Sequence, residues 1–335
     1  MRVIYALIGL AIIILLALVG VGTLGLYNLF GIILPYIAAA IFIIGIIYRV
    51  IKWAIVPVPF HIPVTCGQQK TLPWIKSNNI ENPGTTAGVI GRMALEVLLF
   101  RSLFRNEKIE LKDSGKLLYN SNKFLWLGGL AFHWALLTIL FRHTRFFFEP
   151  VPSVVTFVES MDGMLQIVLP TVYLTDAVIL IALTYLFLRR VVFPQIRYIS
   201  LPSDYFAPLL IISVIISGIL TRHFFKVDVV SVKEMAMGIV TFSPVIPEGI
   251  GLAFYVHLFL VCFLLAYFPF SKMVHAPGVF LSPTRNLRND SRIRRYINPW
   301  DHPVKLHPYE EYEDEFRKTM RKAGLPLDKD EETSS

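Results

Sequence analysis

The chain has 335 residues, 55% of them apolar and 17% charged, with a net charge of +8 and a mean hydropathy of +0.59. A soluble domain of this size carries about a quarter charged residues, whereas the apolar residues here fall in runs of about 20, the length that crosses a bilayer. This excludes an ordinary soluble enzyme, and the positive charge need not mean nucleic acid, because membrane proteins collect Lys and Arg on their cytoplasmic side.

Six spans are predicted in an all-α, polytopic membrane helical bundle. The first covers Val3 to Phe30 and the second Ile32 to Val56, closed by the breaker stretch "PVPFHIP". The first apolar run is too long for a signal peptide and shows no small-residue cleavage site. The loop from Pro59 to Lys123 follows, with nine Lys and Arg. Within it "GVIGRMALEVLLFRSLF" is apolar but interrupted by Arg92, Glu96 and Arg101, so it is expected to lie on the inner face or against a partner. The third span is Phe124 to Phe141, the fourth Thr171 to Leu188, the fifth Tyr205 to Leu220, and the sixth Ile250 to Val274. A polar tail from 276 to 335 ends in "DKDEETSS", which is expected to be disordered.

Charge sets the expected orientation. Arg49 and Lys52, the 59–123 loop, Arg189, Arg190 and Arg197, and the run Arg285, Arg288, Arg292, Arg294 and Arg295 all fall on one side if both termini are cytoplasmic. The segments from Arg142 to Pro170 and from Thr221 to Gly249 have few basic residues, balanced by acids, and face outward. The expected location is the cytoplasmic membrane.

Four of the eight histidines sit in or at the ends of just two spans: His133 and His143 in the third, His257 and His275 in the sixth. The separations of ten and eighteen residues correspond to about 15 Å and about 27 Å of helix, the second loosened by Pro269. The two spans are antiparallel in the expected topology. His143 and His257 therefore share the outer level, and His133 and His275 the inner level. A bis-imidazole pair between two helices is an axial ligand set for b-type haem, which needs no cysteine. Two haems b are expected, one iron held by His133 with His275 and the other by His143 with His257. Cys66 and Cys262 are too few for a disulfide framework, an iron–sulfur cluster or a Cys-rich zinc site, and no C-x-x-C-H is present. A proton- or metal-coupled transporter and a haem-free membrane anchor stay open as alternatives.

These spacings resemble those of the respiratory nitrate reductase gamma subunits, a di-haem cytochrome b family, over residues 31 to 275. "LPYIAAAIFIIGIIYR" resembles that family's first helix, which makes residues 1–30 an extra N-terminal span. "PFHIPVTCGQQKTLPWIKS" and "RNDSRIRRYINPWDHP" resemble the membrane M subunits of DsrMKJOP complexes, also described as Hdr-like menaquinol-oxidising complexes. The resemblance implies menaquinol as substrate in sulfur-compound respiration. It also implies electron transfer to a cytoplasmic iron–sulfur partner similar to the heterodisulfide reductase catalytic subunit, with c-type cytochrome, ferredoxin-like and second membrane subunits nearby.

Quinol protons need acceptors on the outer side. The candidates are His223, Arg145, Glu159 and Asp176, with Arg142, Arg145 and Arg222 able to pair with haem propionates. The gamma-subunit family is expected to use a lysine beyond its outer ligand, and the segment between the third and fourth spans has none. His61 and Cys66 in "HIPVTCGQQ" suit a partner-docking loop better than a metal site, and His302 and His307 a solvated surface or a subunit contact.

Overall fold

A computed structural model describes residues 2–58, 61–62, 70, 74, 76–111, 115–163, 172–290, 303 and 305–329. Cys66, His302, Arg292, Arg294, Arg295 and the final "DEETSS" lie outside the described residues.

The chain is a helical membrane bundle. Helix α1 (Arg2–Gly22) is about 31 Å long, enough to cross the hydrocarbon layer. It ends earlier than predicted because the chain turns at Gly25, whose φ of +63° suits glycine. A π-helical turn at Leu29–Ile33 then leads into α2 (Leu34–Ala54). Next come α3 (Thr86–Leu99), started by the Thr85 side chain accepting from the Gly88 amide, and the single turn α4 (Arg101–Phe104). Strands β1 (Glu107–Leu111) and β2 (Leu117–Ser121) form an antiparallel hairpin with Ile109 opposite Tyr119, a small addition to the expected all-α bundle.

The remaining helices are α5 (Lys123–His143), α6 (Ser153–Asp162), α7 (Leu174–Val192), α8 (Pro194–Ile199), α9 (Pro202–Ile219), α10 (Val229–Val240), α11 (Leu252–Tyr267), α12 (His275–Gly278) and α13 (Tyr309–Lys322). Among the described residues five helical stretches are long and apolar enough to cross a membrane: Arg2–Gly22, Leu29–Ala54, Lys123–Phe147, Pro202–Phe224 and Leu252–Phe270. The predicted fourth span, α7, has 19 residues but carries Asp176 at its start and Arg189 and Arg190 in its last turn. These charges sit at its ends, and its apolar centre packs between α5 and α9.

Among the described residues the core has three clusters, one of which joins Ala17 and Val21 of α1 to Phe30, Met235, Ile250 and Tyr255. Ala135 and Ile139 of α5 meet Ile179 and Leu183 of α7 and Ile211 and Ile215 of α9. Leu10 and Ile13 of α1 meet Leu210 of α9 and Leu260 of α11. Ile4, Leu15, Ile44 and Ile51 point outward and are exposed, as lipid-facing side chains are.

Two predicted elements differ in detail. The sixth span is not one helix to Val274: α11 stops at Tyr267, before Pro269, and two 3-10 turns (Phe268–Phe270 and Lys272–Val274) carry the chain to His275. Proline lacks the amide that would continue the ladder. The α3 stretch does not simply lie on a surface either. The indole nitrogens of Trp126 and Trp134 donate to the Leu99 and Leu98 carbonyls, at 2.7 Å and 3.0 Å. Those tryptophans stand roughly 5 Å and 16 Å along α5 from its start, so the C-terminal end of α3 lies along the side of α5. Buried Arg92 and Glu96 are tolerated there because Arg92 donates to the Thr284 carbonyl at 3.0 Å and Glu96 accepts from Ser102.

Candidate functional site

Helix α5 carries His133 and His143, and the α11–α12 segment carries His257 and His275. The chief packing neighbour of α5 is α7, while α11 lies against α2, α9 and α1. The imidazoles reach across between them. The His133 and His275 ring centroids are 5.8 Å apart, with planes at 79°. His143 bonds Ile139, which packs with Ile215 of α9, and His257 bonds Ser217 of the same helix, so these two imidazoles lie toward the other end of the bundle.

All four rings are held the same way. Nδ1 of His133 donates to the Gly129 carbonyl at 2.7 Å, that of His143 to Ile139 at 2.8 Å, and that of His275 to Lys272 at 2.8 Å. A carbonyl can only accept, so the proton is on Nδ1 and the lone pair on Nε2. His257 Nδ1 lies 2.9 Å from the Ser217 hydroxyl, whose own proton goes to the Val214 carbonyl, so Ser217 accepts and the same tautomer results. Gly218 lets α9 approach this ring: a methyl group added there would stand 3.1 Å from His257 Cε1.

This donor set fits a bis-imidazole metal centre. An imidazole nitrogen sits at about 2 Å from a first-row metal ion, which puts the centroids of two opposed rings about 6 Å apart. His143 and His275 are exposed and His133 and His257 half-buried, so a planar group has access to the imidazole edges. Among the described residues no group of three or more His, Cys, Asp or Glu could hold a metal ion, but a haem iron asks only two axial ligands of the protein.

At the outer end, in the orientation expected from charge, the predicted proton-handling residues gather around a residue the sequence reading missed, Tyr173. Arg142 is buried, pairs with Asp162 at 2.9 Å and Asp176 at 3.1 Å, and lies 4.0 Å from the centroid of the Tyr173 ring. Arg222 covers the ring at 4.4 Å. The Tyr173 hydroxyl donates to Glu159 at 2.9 Å, and Arg145 reaches both Glu159 oxygens at 2.5 Å and 2.6 Å. Burial pushes the Glu159 carboxyl up, but Tyr173, Arg145 and Arg222 together outweigh it and hold the group below the usual carboxylate range. Burial pushes the Tyr173 hydroxyl up. His223 Nε2 is 4.0 Å from Asp176 Oδ2 and has no hydrogen-bond partner among the described residues. Arg142, Arg145 and Arg222, expected as propionate partners, are engaged with carboxylates of the chain itself.

The inner end is built from the 76–105 and 282–290 segments. His61 Nε2 bonds the Thr284 carbonyl at 3.1 Å, and the Asn289 amide donates to Pro83 at 2.9 Å. His61 is 1% exposed. It therefore ties the loop down and does not itself present a docking surface. Burial pushes its imidazole below its ordinary value. Glu81 pairs with Arg101 at 2.8 Å and with Arg105. His307 is exposed and sits 3.1 Å from Glu311.

A family profile described as nitrate reductase gamma subunit matches residues 83–296. A protein of Archaeoglobus fulgidus named "Hdr-like menaquinol oxidoreductase cytochrome b-like subunit" is 46% identical over 287 residues, covering 82% of this chain and 83% of its own. One of Archaeoglobus profundus with the same name is 40% identical over 275 residues, covering 80% and 81%.

Proposed function

Because the chain belongs to the nitrate reductase gamma subunit family, we propose that it is the cytochrome b-type membrane subunit of a menaquinol oxidoreductase, taking electrons from menaquinol at its outer end. The observation that carries this reading is the close approach of His133 and His275, with His143 and His257 together at the other end of the bundle and each imidazole fixed by a bonded Nδ1. Bound to these pairs, two haems b supply a route for single electrons across the membrane. The receiving partner on this reading is a cytoplasmic iron–sulfur subunit similar to the heterodisulfide reductase catalytic subunit. The complex would also hold c-type cytochrome, ferredoxin-like and second membrane subunits, and serve sulfur-compound respiration.

The residues of the chain have separable tasks. Gly129, Ile139 and Lys272 carbonyls and the Ser217 hydroxyl orient the four imidazoles, as outer-shell partners of metal-bound histidine do. His223 is placed to take a proton from a quinol hydroxyl, with Asp176 at 4.0 Å to stabilise the imidazolium. Arg142 pairs with Asp162 and Asp176, and Arg145 and Arg222 pair with Glu159 beside the site.

Pyridine haemochrome analysis of the purified chain tests the reading. The expected result is two non-covalent haems b per chain, extractable with acid acetone. His143→Ala and His257→Ala should each remove one haem, and His133→Ala and His275→Ala the other. A chain without a reduced alpha band would be a haem-free anchor or a transporter. Loss that grouped by helix would break the proposed pairing.

A further inference from the structure

We propose that Phe100, at the tip of the α3–α4 hairpin, is a positioning residue that sets the plane of the His133 imidazole. The inference rests on the reading of His133 as a haem ligand and goes beyond it, because the hairpin belongs to neither helix that carries the histidines.

Phe100 has φ 49° and ψ 46°, the left-handed region, which a bulky L side chain adopts at a steric cost. Such a conformation persists when the surroundings over-determine it. Here the Phe100 amide closes α3 on the Glu96 carbonyl at 3.1 Å. The two carbonyls just before it, Leu98 and Leu99, would be orphans of the helix end, and the indoles of Trp134 and Trp126 take them. Just after it, Arg101 is tied to Glu81 and the Ser102 amide donates to Glu96 at 3.2 Å. The hairpin is thus pinned to α5 by tryptophans from either side of His133 in sequence.

What the pinned tip presents is an aryl ring. Phe100 meets His133 edge-on, with centroids 4.9 Å apart and planes at 89°. Phe132 meets the same imidazole at 4.8 Å and 73°. Rotation of His133 about its Cβ–Cγ bond would drive the imidazole into one of these rings. The Nδ1 bond to Gly129 fixes one edge of the imidazole, and the two phenyl rings fix the plane. That plane stands at 79° to the plane of His275. The angle between two axial imidazole planes controls the splitting of the iron d orbitals. Near-perpendicular planes give a highly anisotropic low-spin ferric signal, and rotation toward parallel reduces the anisotropy. Phe100 therefore tunes one haem of two through ligand orientation, without touching the metal.

The test uses the full chain in detergent, with Phe100→Gly and Phe100→Tyr. Glycine takes the left-handed conformation freely, so Phe100→Gly keeps the hairpin and deletes the ring. Haemochrome analysis should return the wild-type haem content. EPR of the oxidised protein should show one low-field feature shifted to lower g, and the other unmoved. His143→Ala, which leaves the inner haem alone, assigns the moving feature. Phe100→Tyr, which keeps the ring, should restore the wild-type spectrum. An unchanged spectrum in Phe100→Gly with both haems present would overturn the proposal, as would a Phe100→Tyr spectrum that matched Phe100→Gly. Absence of haem from the wild-type chain would overturn the parent reading instead, and the haemochrome reveals it before any EPR is recorded.

Discussion

Glu159 shows how a single carboxylate holds the outer end together. It accepts from Tyr173 and from Arg145 and lies 3.2 Å from Arg222, so one side chain on α6 links the ends of α5 and α9 and the entry to α7. Its carboxyl is held below the ordinary value, so the folded state favours the charged form. The resulting stabilisation is present above the unfolded value, about pH 4.3, and is lost as pH falls through the lower folded value. Thermal unfolding of the solubilised chain between pH 7 and 3 should therefore show a fall in stability at the acid end that is smaller in Glu159→Gln. Equal acid sensitivity in both proteins would assign the loss to other groups. The four histidines of α5 and the α11–α12 segment were legible in the sequence because an imidazole in or at the end of an apolar run has no solvent role there. Tyr173 and Asp162 were not legible. Asp162 lies between spans and Tyr173 at the very start of the fourth, where polar residues are ordinary, and only folding brings them onto Arg142.

The break in the sixth span depends on a second helix. A methyl group added at Gly45 of α2 would meet Pro269 Cβ at 2.6 Å, and Arg49, one turn on, donates to the Pro269 carbonyl at 3.0 Å. Glycine allows the approach and arginine satisfies a carbonyl that the broken helix leaves over. Gly45→Val should push α2 off Pro269, at a cost of about 1–3 kcal/mol, and displace the turns that carry His275. Haem stoichiometry should fall from two toward one, with the His143–His257 level retained. Retention of both haems would show that the His275 turn is held by other contacts. Proline in an apolar run was enough to predict a kink, but not that the helix would end and restart as 3-10 turns, which depends on α2. The burial of charge in α3 was not legible for a related reason: the carbonyl that Arg92 reaches, that of Thr284, is 192 residues away.

Across the whole molecule the two ends are chemically unlike. In the orientation expected from charge, the outer end gathers His223, Asp176, Glu159 and Tyr173 among arginines already balanced by carboxylates. In sequence, the 59–123 loop with nine Lys and Arg and the basic stretch that follows α12 are expected at the inner end. The first suits a substrate that releases protons, and the second suits an acidic protein surface. If quinol is oxidised at the outer end, protons leave outward while electrons travel inward, and the step separates charge across the membrane. His223→Ala should then slow reduction of the outer haem by a menaquinol analogue in stopped-flow spectra, with both haem spectra intact. Unchanged kinetics would remove His223 from the site without moving the site. Photo-labelling with a quinone probe reads the location itself, and label near Tyr173 and His223 is the expected result. Label found only beside His133 and His275 would place substrate and electron acceptor on the same side, and no net charge would cross the bilayer.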